Sequence, residues 1–149
     1  MSKALDQLKA VVSRLRSPRG CPWDREQTHR SLIPYLREES AELAAALKGG
    51  RWHEMEDELG DILFHVILHA KIAEEKGWFT LEDVARSQAL KLRRRHPHVF
   101  ARDRSFGSAE EVLRHWKGIK ASERALRDRD VAKRSARAGR KRAPRRKGA

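Results

Sequence analysis

Apolar residues recur along this chain at the three- and four-residue spacing of α-helices, and no stretch alternates in the manner of a strand. Leu5, Leu8, Val12 and Leu15, with Asp6, Lys9 and Arg14 between them, predict an amphipathic helix over residues 3–16, ended by Ser17-Pro18-Arg19-Gly20. Cys21-Pro22-Trp23-Asp24 reads as a loop whose Trp23 needs either a packing partner or a base to stack on. A second helix is expected from a Ser31 cap, with Pro34 in its first turn, to about Leu47, where Gly49-Gly50 stops it. In the third, about 52–76, Leu59, Ile62, Leu63, Phe64, Val66, Ile67, Leu68 and Ala70 cover most of the circumference and so predict burial on most sides. Glu54, Glu58, Asp61, His65 and His69 fill the narrow remaining stripe, which should face a cleft or a thin strip of solvent. Gly77 closes this helix, and Thr80-x-x-Asp83 opens a fourth, about 81–95, as a capping box. That helix carries Leu81, Val84, Ala85 and Leu92 on one side. His96-Pro97-His98-Val99-Phe100 breaks it, and Ser108-x-x-Glu111 starts a fifth helix bearing Val112, Leu113, Trp116 and Ile119. The expected fold is all-α, a bundle of about five helices.

The polar residues on these helices carry the candidate chemistry. Glu38-Glu39-x-x-Glu42 sits on the second helix and Glu58-x-x-Asp61 on the third. Side chains three and four residues apart share a helix face, roughly 5–6 Å between Cβ atoms, so each pair can converge on one point. Two such pairs facing each other make a cage of oxygen ligands, and hard divalent cations such as Mg²⁺ are what usually neutralise crowded carboxylates. On a helical wheel Glu39 and Glu42 lie beside the apolar face of Leu32, Leu36, Leu43 and Leu47, while Glu38 points further toward solvent. The competing reading is a solvated face laced with salt bridges, but Glu54, Glu58 and Asp61 have no Lys or Arg three or four residues on. Mg²⁺ prefers oxygen, so His65 and His69 are expected to hydrogen-bond a carboxylate or to be exposed. Lys91, Arg94 and Arg95, a turn apart, can meet an anion, or simply complement the helix C-terminus for about 0.3–1 kcal/mol. Cys21 precedes a proline and has no nearby base, so it is not read as a nucleophile.

Taken together, Cys21-Pro22-Trp23-Asp24-x-Glu26-Gln27-Thr28, Glu38-Glu39-x-x-Glu42, Glu58-Leu59-Gly60-Asp61 and Lys91-Leu92-x-Arg94-Arg95-His96-Pro97-His98-Val99-Phe100 closely resemble the MazG family of nucleoside triphosphate pyrophosphohydrolases. The resemblance covers about residues 5–123 in order and spacing. It implies an all-α fold and hydrolysis of nucleoside triphosphates to monophosphates and pyrophosphate, clearing non-standard or damaged nucleotides. It implies dependence on Mg²⁺, with Mn²⁺ as a substitute, and a helical homodimer. By position it implies a catalytic group of Glu38, Glu39, Glu42, Glu58 and Asp61, in which the last four bind metal and Glu38 orients a water. Lys91 and Arg95 match phosphate contacts, with Arg94 a further candidate. Trp116 and Lys120 match a late Trp-x-x-x-Lys element that would offer an aromatic face and a charge, although for Trp116 a core aromatic is an equal reading. His96 and His98 are expected to brace the turn. Well-known members carry two such domains in tandem and one is read here, so a second copy is expected to complete the core by dimerisation.

Charge divides the chain. Of the net +13 on 149 residues, positions 124–149 hold twelve Lys/Arg against two Asp, a net +10, and leave +3 for residues 1–123. The expectation is one domain over 1–123, long enough for a core, and a basic, disordered tail over 124–149. That tail is either solubilising or a loose, salt-sensitive contact for nucleic acid or another polyanion. The rival to the enzyme reading is accordingly a degenerate hydrolase body acting as a nucleic-acid-binding module through its tail. No aromatic residue follows Trp116, which argues against base stacking there. The single cysteine fits a reducing compartment, charges at Lys3, Asp6, Lys9 and Arg14 interrupt any leader, and no run approaches the roughly 20 apolar residues of a membrane span. A cytoplasmic protein, neither secreted nor embedded, is expected.

Overall fold

The computed structural model describes residues 3–101 and 105–142, with side chains to Ala125. Every regular element among them is a helix: α1 (Lys3–Leu15), α2 (Pro22–Glu26), α3 (Ile33–Gly49), α4 (Trp52–Glu75), α5 (Leu81–Arg95), α6 (Pro97–Phe100) and α7 (Ala109–Arg142). The all-α expectation therefore holds, and the five longer helices begin within a residue or two of where apolar spacing puts them. The two additions, α2 and α6, are one-turn helices opening on Pro22 and Pro97. Proline fixes a helical φ at a first turn while reading in sequence as a breaker. The chain divides into two compact units, Met1–Gln88 and Ala89–Ala149.

In the first unit α4 packs against both α3 and α1. The α3/α4 hairpin is set by Gly50, whose φ of 65° places it in the left-handed region glycine favours. Its N–H donates to the Leu47 carbonyl, and that of Arg51 reaches back to Ala46 at 3.1 Å, so two orphan carbonyls of α3 are satisfied as the chain reverses. Val12, Leu32, Ile67, Leu68 and Ile72 form the buried core, flanked by Leu5, Leu8, Phe64 and Leu81. Below it the Arg16 guanidinium, 7% exposed, grips both Glu75 carboxylate oxygens and donates to the Asp24 carbonyl, tying α2 and the end of α4 to α1. Gly77 (φ 66°) closes α4 as expected, and Thr80 and Asp83 exchange side-chain and backbone bonds in a full capping box.

Two expectations about these helices are corrected here. Ser31 does not cap α3: Leu32 takes that position in a helical conformation, and the Ser31 hydroxyl instead donates to Gln27 Oε1 and accepts from the Thr28 N–H. α4 is not buried on most sides within one chain, because Leu59, Leu63 and Val66 are 41–49% exposed. α5 buries none of its residues, and Val84 and Leu92 on its apolar side are exposed.

In the second unit α7 extends to Arg142, so positions 124–142 are helix where composition predicts disorder. Alanine, arginine and lysine are strong helix formers, and the span from 109 to 142 holds two glycines and no proline. The remainder of the expected tail, 143–149, lies outside the described residues. No helix among the described residues is long and apolar enough to cross a membrane.

Leu68 is wholly buried at the centre of the first unit. Leu68→Ala should cost about 2–5 kcal/mol of unfolding free energy, read from the midpoint of a denaturant titration.

Candidate functional site

The hairpin sets α3 beside α4 and turns acids from each toward one point. One carboxylate oxygen each from Glu39, Glu58 and Asp61 lies within 4.8 Å of the other two. Burial lifts the Glu39 carboxyl above its ordinary range, and the charges of Asp61, Glu42, Glu58 and Glu38 lift it further. Glu58 is raised in the same way, by desolvation first and then by Glu42, Asp61, Asp57 and Glu54. No ion pair among the described residues involves Glu38, Glu39, Glu42, Glu58 or Asp61. Three convergent carboxylates with no basic partner form an all-oxygen donor set of the kind hard divalent cations occupy.

The expected cage of four is thus three plus a neighbour. Glu42, one turn after Glu39 and exposed, is not among the converging oxygens, yet its charge acts on both Glu39 and Glu58. Glu38 is exposed as expected and is the weakest of the four acidic influences on Glu39. Glu54 departs from the sequence reading, because Arg51, three residues before it, pairs with its carboxylate. A partner on the N-terminal side escapes a search made only toward the C-terminus.

The histidines of α4 also depart. His65 is 4% exposed, and its Nδ1 has no hydrogen-bond partner; burial lowers its pKa while Asp61 opposes that shift. His69 bonds His29, with Nδ1 atoms 2.8 Å apart and rings within 7° of parallel, and Trp78 stacks on His29 with ring centres 5.7 Å apart. Burial, then the His29 and His65 rings, lower the His69 pKa, which favours its neutral form. Neither histidine is bonded to a carboxylate. His29 comes from forty residues away, and no local pattern signals it. Trp23, 46% exposed, meets the edge of Tyr35 at 5.5 Å.

In the second unit Arg94 and Arg95 converge on a single acid, Glu123 of α7. Arg94 Nε donates to Oε1 at 2.9 Å and Arg95 Nε to Oε2 at 3.2 Å, and the Nη2 group of each bonds the same oxygen as its Nε. Hydrogen bonds from Arg95 and then Arg94 pull the Glu123 carboxyl down to about 2. Trp116 is half-buried, donates from Nε1 to the Arg95 carbonyl at 2.9 Å, and makes an edge contact with His96 at 4.8 Å, closer to the packed-aromatic reading. Lys120 places its Nζ 5.9 Å from the Trp116 ring centre. Lys91 is half-buried with no carboxylate partner among the described residues. His96 does brace the turn: its Nδ1 meets the Leu92 carbonyl at 2.6 Å, and a carbonyl only accepts, so Nδ1 carries the proton. His98 Nδ1 and His115 Nε2 are buried without partners, each ring packed on Phe106.

A helical hairpin that crowds unpaired carboxylates is a frame for a hard cation, and comparison with known proteins gives the family. Residues 27–100 match the family model described as the MazG nucleotide pyrophosphohydrolase domain. The chain is 47% identical over 119 residues to the nucleoside triphosphate pyrophosphohydrolase/pyrophosphatase MazG of Thermotoga maritima. It is 44% identical over 122 residues to the nucleoside triphosphate pyrophosphohydrolase of Escherichia coli strain K12. These matches cover 80% and 81% of this chain but 45% and 46% of the relatives, so the chain spans about half the length of the curated relatives it matches. The crystal structure of a mazG-related protein from Thermotoga maritima is 29% identical, with a TM-score of 0.63, and covers 78% of this chain and 98% of its own. The chain belongs to the MazG family.

Raised carboxyl pKa values fix a sign. An acid whose pKa is higher folded than unfolded binds more protons when folded, so metal-free stability should fall as pH rises through the raised values of Glu39 and Glu58. Glu39→Gln removes one of the mutually repelling charges. It should melt higher than the parent near pH 7 without divalent cations and show a shallower loss as pH rises above 4.5, followed by circular dichroism against temperature.

Proposed function

We propose that this chain hydrolyses nucleoside triphosphates to nucleoside monophosphates and pyrophosphate with Mg²⁺ held by Glu39, Glu58 and Asp61. The observation that carries the reading is the convergence of those three carboxylates without a basic partner. Family membership supplies the substrate class, since relatives matched over most of this chain carry the name nucleoside triphosphate pyrophosphohydrolase. Glu42 completes the set by turning its side chain toward the acids it already acts on, and Mn²⁺ substitutes because the donors are all oxygen. Such a cation supplies charge neutralisation for the triphosphate and Lewis-acid polarisation of phosphorus. The chain's own contribution is to hold the acids preorganised, with Glu38 at the solvent edge to orient water. Lys91, Arg94 and Arg95 supply positive charge to the phosphates, and Lys120 beside Trp116 adds to it.

Pyrophosphate release with Mg²⁺ tests this, in a screen across ribo-, deoxy- and modified triphosphates that also reads base preference. EDTA should abolish turnover. Asp61→Asn should lower kcat at least about 100-fold, the scale set by losing a charge-stabilising group, with helical content unchanged. Undiminished turnover in that variant would remove the carboxylate cage from the mechanism.

We further infer that the unit works as a homodimer that covers α4. Leu59, Leu63 and Val66 recur on one side of that helix at three- and four-residue intervals and are 41–49% exposed. Gly60, in the same turn, has nothing near its missing side chain, so this chain's own packing does not require a glycine there. Helical glycine costs about 1 kcal/mol relative to alanine, which fits a position where another surface approaches closely. Light scattering should give twice the chain mass for the parent, and Leu63→Glu should shift it to one. A parent of single-chain mass would refute the dimer.

A further inference from the structure

The structure assigns a role to Glu123, an acid outside every motif that identified the family. We propose that Glu123 is a positioning residue that holds Arg94 and Arg95 side by side as a two-pronged anion fork for the triphosphate. This rests on the pyrophosphohydrolase reading above.

Adjacent arginines at a helix end repel and sample many rotamers, so sequence proximity alone does not aim them together. Glu123 does so by giving one oxygen to each. Arg94 takes Oε1 and Arg95 takes Oε2, both through the Nε–Nη2 edge. That side-on geometry spends the inner edge of each guanidinium and leaves Nη1 of both without a partner among the described residues. The carboxylate side chain is only 13% exposed, Arg95 is 19% exposed and Arg94 is 60% exposed, so the acid lies beneath and at least one guanidinium faces outward. The local sum is one excess positive charge with unused donors, and an anion is the ligand that fits it.

Position on α7 supports the same conclusion. Trp116, Lys120 and Glu123 stand at spacings of four and three residues and so share one face. Trp116 bonds the Arg95 carbonyl and fixes the end of α5, while Glu123 fixes the side chains that issue from it. Lys120 lies between them on that face, its Nζ 5.9 Å from the Trp116 ring centre. The acid also stays ionised, since the two arginines hold its carboxyl at about 2, and the fork is therefore intact at any pH where the enzyme would be assayed. A carboxylate placed only to join α5 to α7 needs one arginine; two, each gripped by the edge that fixes its plane, is the arrangement that sets a pair in register.

The test separates positioning from structure and from competition with substrate. KM and kcat are measured with Mg²⁺ and the preferred triphosphate of the screen for the parent, Glu123→Gln and Glu123→Asp, alongside calorimetric binding of inorganic tripolyphosphate without divalent cations. Glu123→Gln should raise KM about tenfold and weaken tripolyphosphate binding in parallel while kcat stays within about twofold, and Glu123→Asp should recover part of the loss because it keeps the charge. Unchanged KM and tripolyphosphate affinity would overturn the proposal by showing the bridge to be purely structural. Tighter binding would overturn it by showing that the acid competes with the phosphates. Should Glu123→Gln lose its helical circular dichroism, Glu123→Asp carries the same comparison. A parent that binds tripolyphosphate through this fork yet turns over no triphosphate would sink the pyrophosphohydrolase reading and leave the role of Glu123 standing.

Discussion

Hydrophobic burial along α1, α3 and α4 forces together acids that would otherwise move apart. At the separations seen among Glu39, Glu58 and Asp61, the charged forms repel one another. Each fully buried Val, Leu or Ile contributes roughly 1.5–3 kcal/mol, and Val12, Leu32, Leu68 and Ile72 are all buried to 1% exposure or less. The seam is what holds the acids in place against that repulsion. Part of the cost is then relieved locally: Glu39 and Glu58 titrate above the ordinary carboxylate range, so the cluster sheds charge as pH falls. A divalent cation would relieve the rest. The same folding energy that makes the hairpin thus brings three carboxylates to one point, the donor set the proposed cation would use.

Much of this fold is legible in local sequence because local sequence is where its determinants lie. The 3.6-residue recurrence of Leu5, Leu8 and Val12 needs no tertiary information, and neither do the stops at Gly50 and Gly77, both with left-handed φ. The Thr80–Asp83 box closes as its spacing says it should. Ser31 fails for a physical reason: its hydroxyl is within reach of Gln27 and Thr28, and a side chain that bonds its own preceding turn is no longer free to cap the next one. The apolar wheel of α4 also said more than one chain can satisfy. Periodicity reports which faces want burial and is silent on whether the partner surface belongs to the same molecule. For α7 the error ran the other way, since lack of apolar residues argues against a packed core but not against a helix of good helix formers.

The candidate site was legible to the extent that it is built from i, i+3 and i, i+4 relations. Glu58 with Asp61 is such a pair, and Glu39 enters because the two-residue link at Gly50 and Arg51 folds α3 back beside α4. What could not be read was anything joined across a long separation in sequence. His29 reaches His69 over forty positions, and Glu123 reaches Arg95 over twenty-eight. Each of these residues is unremarkable in its own neighbourhood. The consequence for function is uneven: the acids could be named from spacing, while the state of the arginines, already engaged by a carboxylate, could not.

The distribution of bases gives the absence of partners at the acid cluster its meaning. Residues 1–123 carry a net positive charge of +3, so basic side chains are not scarce in the body of the chain. They are used elsewhere: Arg16 on Glu75, Arg51 on Glu54, Lys71 on Glu74, and both Arg94 and Arg95 on Glu123. Chance pairing on a surface this rich in charge would put a lysine or arginine beside at least one of Glu39, Glu58 and Asp61, since long basic side chains find exposed carboxylates readily and lose little by doing so. Their exclusion from the most crowded acids, alongside the neutral imidazoles that burial produces one and two turns further along α4, keeps the local field negative. A field of one sign, held by a packed helix pair and bordered by groups that do not cancel it, attracts a small cation of high charge density rather than a protein side chain.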